Sequence, residues 1–207
     1  SYLLLGPWRD PNSSYLQNIH LVSQNTADKH SYNDFIVVCL VKDGMECIEK
    51  FYKYYKNLGA GHFYFIDNGS SDGTQSFLKN CSDVTLYRTD LPHKKYESEI
   101  RRVIIEKHCR NRWCLCVDID ELFDYPYSDK IHMKEFLSYL NQNNFTAVIA
   151  YMLDMFNEEI IFNQPSQKED LEKLYSNYDI SGIKKKSYLS SLTAFYNYNV
   201  LSNKRMK

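Results

Sequence analysis

The sequence has almost no net charge and no long apolar run, and each shortage excludes a class of protein. Its 25 basic and 26 acidic side chains leave a formal net charge of −1, whereas nucleic-acid-binding domains carry a clustered basic surface. No unbroken apolar run is longer than Phe35–Val41, which is far short of the ~20 residues that a membrane-spanning helix needs. We therefore expect neither a nucleic-acid partner nor a transmembrane helix.

The cysteines also lack a pattern. Six occur, and no two have the C-x-x-C spacing of zinc sites and redox motifs. Cys39, Cys114 and Cys116 lie in apolar runs and are typical of small buried hydrophobic residues. This usage fits a reducing compartment, and no secretory signal pattern is recognisable. We therefore expect a cytoplasmic location.

Two basic runs are the strongest local concentrations of charge. Residues 184–186 are three lysines, and residues 204–207 are Lys-Arg-Met-Lys. Such runs are typical of a solvated surface. The alternative is peripheral contact with the anionic inner face of a membrane, or with a phosphate-bearing acceptor.

Residues 34–156 alternate between short β-branched or aromatic runs and helical patterns. The predicted strands are 34–41, 62–66, 84–87, 113–117 and 145–153, and the predicted helices are 45–58, 74–79, 97–109 and 131–140. This alternation predicts βαβ units, and hence an α/β, Rossmann-like fold with a mostly parallel sheet flanked by helices. We predict an irregular lead-in at 1–33, with a short strand near Ile19–Val22. Residues 157–207 form a C-terminal acceptor-side or linker segment without clear period.

An acidic pair follows the most apolar of the later strands. Asp118 and Asp120 come directly after Trp113–Val117, and an extended chain would project both from one face. A divalent cation would remove their mutual repulsion. Oxygen ligands favour Mg²⁺ or Mn²⁺, whose shell substrate phosphates can complete. The pair therefore predicts a metal–diphosphate site, and the alternative is a polar turn whose acids are solvated or cap the next helix.

A second polar turn follows the strand at 62–66. Gly69 and Gly73 allow positive φ angles and close backbone approach. Asp72 and Gln75 have the spacing of a capping box for the next helix. Asp67 lies at the strand tip, where its carboxylate can accept hydrogen bonds from a ribose or a base. The alternative is a capped βα turn without a ligand.

Together these segments resemble family 2-type glycosyltransferases of the GT-A fold, and most closely the branch whose second motif is written D-x-D-E-F. The resemblance spans about residues 35–155, with its two motifs in the expected order. The matching segments are Val41-Lys-Asp43, Leu58-Gly-Ala60, Phe65-Ile-Asp-Asn-Gly-Ser-Ser-Asp-Gly-Thr74 and Trp113-x₄-Asp-Ile-Asp-Glu-Leu-Phe123. The sequence departs from the branch at Asp43-Gly44, where Asn-Glu is usual, and at Glu121-Leu122-Phe123, where Glu-Phe is usual.

The resemblance implies a GT-A core at 34–156 that binds a nucleotide-diphosphate sugar, with a UDP-sugar favoured. It implies that Val41 and Lys42 line the base pocket, and that Asp67, with Asn68 and Gly69, contacts the base or ribose. It implies that Asp118 contacts the ribose or the metal and that Asp120 binds Mn²⁺ or Mg²⁺. Arg101 or Arg102 would contact the diphosphate. A guanidinium suits a phosphate, and the alternative for the arginines is a solvent-exposed pair.

The family pattern also implies an inverting transfer to a glycan or lipid-linked acceptor, in surface polysaccharide biosynthesis. A carboxylate from beyond the D-x-D motif then deprotonates the acceptor hydroxyl. Asp154 is favoured because it ends the predicted strand 145–153, ahead of Glu158 and Glu159. Sugar stacking is one interpretation of the later tyrosines and core packing the other; they are Tyr175, Tyr178, Tyr188, Tyr196 and Tyr198.

Two other functions remain as alternatives. A non-catalytic GT-A-like module that binds a partner or glycan would keep the fold without the base. A nucleotidyltransferase also uses acidic metal sites on an α/β sheet, but that class carries a Gly-rich phosphate loop after its first strand. Lys42-Asp43-Gly44 is not such a loop, and the chain has only 7 glycines. We therefore rank the nucleotidyltransferase below the other two.

Overall fold

The structure is a computed structural model that describes residues 16–25, 34–150, 152–156 and 177–178. Inter-residue contacts divide the chain into two compact units, Ser1–Val148 and Ile149–Lys207. The first unit contains one five-stranded sheet. Its strands are β1 (Ile19–Gln24), β2 (Phe35–Val41), β3 (Ala60–Asp67), β4 (Val84–Thr89) and β5 (Trp113–Cys116).

The spatial order of these strands is β1–β4–β3–β2–β5. β2 pairs in parallel with both β3 and β5, and β3 pairs in parallel with β4. Only β1 runs antiparallel, along the outer edge of β4. The predicted α/β class with a mostly parallel, helix-flanked sheet is confirmed, and the topology is compatible with a Rossmann-like fold. The short strand predicted near Ile19–Val22 is present as β1, which extends to Gln24.

Helices cover both faces of the sheet. They are α1 (Ile48–Leu58), α2 (Thr74–Asn80), α3 (His93–His108) and α4 (Met133–Gln142). Alternate residues of β2 face opposite sides, so Val37 packs with α1, α2 and α4 while Val38 packs with α3. All seven residues of β2 are buried, as predicted for a central parallel strand. None of the helices in the described part of the chain has the length and apolar content needed to cross a bilayer.

The amphipathic pattern of α1 was predicted correctly. Ile48, Phe51 and Tyr55 face the core and are at most 1 % exposed, which is the spacing of one helical face. Leu58 is partly buried at the end of the same stripe. Gly59 ends the helix with φ of 100°, a left-handed conformation that glycine adopts without a Cβ penalty.

The predicted strand at 145–153 is wrong. Residues 145–150 and 152–154 have no regular secondary structure and are exposed. A strand requires a ladder of hydrogen bonds between its N–H and C=O groups and a neighbouring strand, and no described strand includes these residues. Asn144, with φ of 58°, turns the chain just before them. In the second unit, Met155–Phe156 (β6) pairs antiparallel with Asn177–Tyr178 (β7).

The backbone at Gly44 leaves no room for a side chain. A Cβ placed there would lie 2.6 Å from Cγ2 of Val41 and 3.3 Å from Cγ1 of Ile119. Since Val41 is buried, Gly44→Ala should destabilise the fold by about 1–3 kcal/mol, the usual cost of overpacking. Urea unfolding measures this loss. In a Val41→Ala background the clashing methyl is absent, so the cost of Gly44→Ala should fall; an equal cost in both backgrounds would contradict the steric explanation.

Candidate functional site

The strand order reverses between β2 and β5, and open α/β sheets have a crevice at such a point. The chain builds β2, β3 and β4 outward in one direction and then returns through α3 to place β5 on the other side of β2. Parallel strands bring their carboxyl ends to one edge of the sheet. In open α/β sheets ligands bind at that edge, where the strand order reverses. Val41 and Lys42 follow one side of this crevice, and Asp118 follows the other.

The acidic pair lies on a turn and not on an extended chain, which corrects the predicted geometry. β5 ends at Cys116. The N–H of Glu121 then donates to the carbonyl of Asp118 (3.1 Å), and the Glu121 carboxylate accepts from the N–H of Asp118 (2.8 Å). Side-chain bonds of this kind compete with extended structure. Asp118 is consequently half-buried, while Asp120 is exposed at the bend.

Arg101, on α3, forms an ion pair with Asp118. Nη2 of Arg101 donates to Oδ1 of Asp118, and Nη1 lies 3.2 Å from Oε1 of Glu97, one turn earlier on α3. The Arg101 side chain is 3 % exposed, so the solvent-exposed alternative is wrong for this residue. Its buried Nε has no hydrogen-bond partner among the residues that the structure describes. Arg102, in contrast, is 20 % exposed and pairs with Glu106 at 3.3 Å.

The loops after β2 and β3 are bonded to each other. The Asp43 N–H donates to Oγ of Ser70 (2.8 Å), and the Asp43 carboxylate accepts from the N–H of Ser71 (2.7 Å). One residue further, the Gly44 N–H donates to Oγ1 of Thr74 (2.9 Å). These bonds explain the unusual φ of 48° at Asp43, because the side chain and backbone must both reach the second loop. The two loops therefore form one wall of the crevice.

Asp67 stabilises the loop after β3 through its side-chain hydrogen bonds. Its carboxylate is fully buried and accepts from the N–H groups of Gly69 (3.0 Å) and Ser70 (3.1 Å) and from the side-chain amide of Gln75 (2.7 Å). The predicted capping box is therefore wrong, since Gln75 reaches Asp67 and the N-cap residue is Gly73. In this structure Asp67 shapes the turn.

Asn68 connects this loop to the one after β4. Its side-chain amide donates to the carbonyls of Thr89 (3.1 Å) and Leu91 (2.8 Å). Gly69, the next residue, has φ of 81°, and apart from its two chain neighbours no described residue has a heavy atom within 4 Å of the position its Cβ would occupy. The tip of the turn is thus open for close approach to its backbone.

The predicted catalytic base is in the other unit. Asp154 is exposed and immediately precedes β6, within Ile149–Lys207. The site residues Val41, Lys42 and Asp120 are in the first unit, where the latter two are exposed. Glu158 and Glu159 lie outside the described residues, as do both basic runs and all the later tyrosines except Tyr178.

The acidic turn suits a metal that takes few protein ligands. Among the residues that the structure describes, no group of three His, Cys, Asp or Glu side chains could enclose an ion. Mg²⁺ usually binds one or two carboxylates and completes its shell with water and phosphate oxygens. Asp120 offers an exposed carboxylate, and Asp118 a second one already paired with Arg101. This all-oxygen pair fits Mg²⁺ or Mn²⁺ better than zinc.

Comparison with known proteins adds no relative. No family model, no curated protein and no solved structure matches this chain. The interpretation of the site therefore depends on its residues and geometry.

Sequence reasoning missed two residues that support the site. Glu97 stands four residues before Arg101 on α3, a spacing that favours ion pairs on a helix, so its role was readable from the sequence. Asp43 was noted only where the sequence matches or departs from the family pattern, without a bonding role. Its bonds to Ser70 and Ser71 join residues 27 and 28 positions apart, and no local pattern indicates such a contact.

The Arg101–Asp118 pair should be measurable as a coupling energy. Arg101→Met should cost about 1–3 kcal/mol, below the ~3–5 kcal/mol of a fully buried broken pair, because Asp118 and Glu97 can rehydrate. A double-mutant cycle with Asp118→Asn, followed by urea unfolding, should give a coupling of about 0.5–3 kcal/mol. Arg102→Met is the matched control and should cost under about 1 kcal/mol. Strict additivity of the two site substitutions would contradict the pairing.

Asp72 should make stability depend on pH. Burial raises the pKa of Asp72, but hydrogen bonds from the Thr74 hydroxyl and the N–H groups of Met45 and Thr74 outweigh it and hold the pKa below its usual value. A lowered pKa adds stability above the unfolded value of about 3.9, and that stability is lost as the pH falls through the folded value. Asp72→Asn should reduce the free energy of unfolding more at pH 7 than at pH 3. Equal reductions at both pH values would contradict this assignment.

Proposed function

We propose that the chain is a metal-dependent glycosyltransferase with a GT-A-like fold. It transfers a sugar, with inversion, from a nucleotide-diphosphate sugar to a glycan or lipid-linked acceptor in surface polysaccharide biosynthesis. The observation that carries the proposal is the position of Asp118 and Asp120, directly after β5 and beside the crevice where the strand order reverses. Nucleotide ligands favour that position in α/β sheets.

The nucleoside lies against the wall formed by the first two loops. Val41 and Lys42 end the strand that borders the crevice, and Gly69 leaves space above its backbone. A flat base or a ribose can therefore approach the chain closely there. Asp67 contributes by keeping the turn in shape, because its carboxylate is fully buried. A UDP-sugar is the favoured donor on the strength of the family resemblance.

The diphosphate lies at the acidic turn. Asp120 is the metal ligand in this proposal, and Asp118, already neutralised by Arg101, contacts the ribose or supports the metal. A bound Mn²⁺ or Mg²⁺ would stabilise the negative charge that develops on the leaving diphosphate. Arg101 acts on Asp118 and not directly on the phosphates, since its guanidinium already contacts both Asp118 and Glu97.

The acceptor hydroxyl needs a base that can reach its proton. Asp154 is the proposed base on the strength of the family resemblance, in which the base comes from beyond the D-x-D motif. The exposed carboxylate takes the proton as the acceptor oxygen attacks the anomeric carbon and the nucleoside diphosphate leaves. Asp154→Asn should then abolish transfer while donor binding persists.

Calorimetric titration of UDP, GDP and CDP, with and without Mn²⁺, tests the proposal directly. We expect one diphosphate, UDP, to bind only with the metal. Asp120→Ala should weaken that binding by at least about tenfold, because even outer-shell substitutions cost ~10–100-fold in metal affinity. Asp129→Ala is the control, since Asp129 is an exposed acid on a neighbouring turn.

Two results would count against the proposal. Failure of every diphosphate to bind under both conditions would contradict the donor site. An equal loss in the Asp120 and Asp129 variants would mean that the turn contributes only general negative charge. Binding of UDP without any sugar transfer would instead favour a non-catalytic module.

A further inference from the structure

The segment that follows Asp120 is attached to α1 by tyrosine hydroxyls. The hydroxyl of Tyr55 donates to the carbonyl of Glu121 (2.9 Å) and accepts from the N–H of Phe123 (2.9 Å). The hydroxyl of Tyr54 donates to the carbonyl of Phe123 (2.8 Å). Three main-chain groups within three residues are thus bonded to two adjacent side chains of one helix.

The Tyr55 hydroxyl is held in place by the core. Tyr55 is fully buried, and its ring packs edge-on against Phe51, with 4.7 Å between the ring centroids. Burial raises the pKa of Tyr55, so the hydroxyl keeps its proton and its role as donor. A packed ring has one available orientation. Tyr55 therefore fixes both of its partners relative to α1.

The other anchors of the segment are side chains: Glu121 bonds the Asp118 N–H, and Phe123 and Tyr125 pack with the core. Residues 121–125 have no regular secondary structure, so no helical or sheet ladder fixes their backbone. On the opposite side, the Arg101 guanidinium contacts the Asp118 side chain. The acidic turn is consequently held at Asp118 from α3 and at Glu121–Phe123 from α1, and Asp120 lies between these attachments.

We propose that Tyr55 is a positioning residue for Asp120, which sets the direction of the exposed carboxylate at the crevice without touching metal or substrate. This inference rests on the proposed function, because it treats Asp120 as the metal ligand. Tyr54 supports the same segment through Phe123. The contacts were not visible in the sequence, where Tyr55 is simply one member of an apolar stripe.

α1 offers a matched control. Tyr52 lies one turn before Tyr55, and its hydroxyl donates to Oδ1 of Asp83 (2.5 Å), which is remote in sequence from the acidic turn. Tyr55→Phe and Tyr52→Phe each remove one hydroxyl and keep the ring. Both should lower the unfolding midpoint, so stability alone does not distinguish them. Only Tyr55→Phe frees the acidic turn.

Two readouts test the inference on the full chain. Hydrogen exchange of the Phe123 amide should be at least about tenfold faster in Tyr55→Phe than in wild type, because the amide loses its acceptor. Mn²⁺-dependent affinity for UDP should fall by about tenfold, the scale seen when a residue that orients a metal ligand without touching the metal is changed. Without metal, UDP should bind neither wild type nor variant. Tyr52→Phe should alter neither readout, and Tyr54→Phe should weaken Mn²⁺-dependent binding in the same direction as Tyr55→Phe.

The outcomes separate the inference from the proposed function. If wild type binds UDP with Mn²⁺ and Tyr55→Phe does so equally well, the positioning role is overturned and the donor site stands. If Tyr52→Phe loses as much affinity as Tyr55→Phe, the effect is general destabilisation, and the positioning role is again overturned. If wild type shows no Mn²⁺-dependent binding, the proposed function fails, and the inference fails with it.

Discussion

β2 is buried on both faces along all seven of its residues, and the remaining architecture follows from that constraint. A strand in this position needs a hydrogen-bonded neighbour on each edge and helices on each face. β3 satisfies one edge through the connection that contains α1. The other edge can be filled only by a strand that returns across the sheet, which β5 does through α3. The reversal of strand order, and with it the crevice, is therefore a consequence of burying β2.

The connection through α3 also places a charged side chain inside the protein. α3 packs its apolar face, including Ile100 and Ile104, against β2, and Arg101 between them is carried into the interior. A buried guanidinium requires a carboxylate partner. Asp118 supplies it from the end of β5, and Glu97 supplies a second from α3. Asp118 thus pairs with the buried Arg101, and Asp120 does not. The two acids look equivalent in the sequence, but their structural roles differ.

Sequence patterns predicted what depends on local spacing. The burial of β2, the core face of α1 and its end at Gly59 all follow from periodicity and glycine conformation. Sequence patterns gave wrong predictions where the structure depends on contacts between residues that are not neighbours in a local pattern. Residues 145–153 have the composition of a strand, but residues 145–150 and 152–154 form no regular secondary structure. Gln75 could cap its own helix or reach Asp67, and only the folded turn decides between them.

The two sides of the crevice are built from different interactions. On the β2–β3 side, short hydrogen bonds join consecutive loops, and Asp43 takes part with both backbone and carboxylate. Asp43 bonds the second loop, and the absence of a side chain at Gly44 leaves room for Val41. On the β5 side, an irregular segment is attached at its ends by Arg101 and Tyr55. A donor would therefore bind between a wall fixed by its own bonds and a turn whose geometry depends on the helices behind it, and Asp120 is the part of the site most sensitive to changes that never touch it.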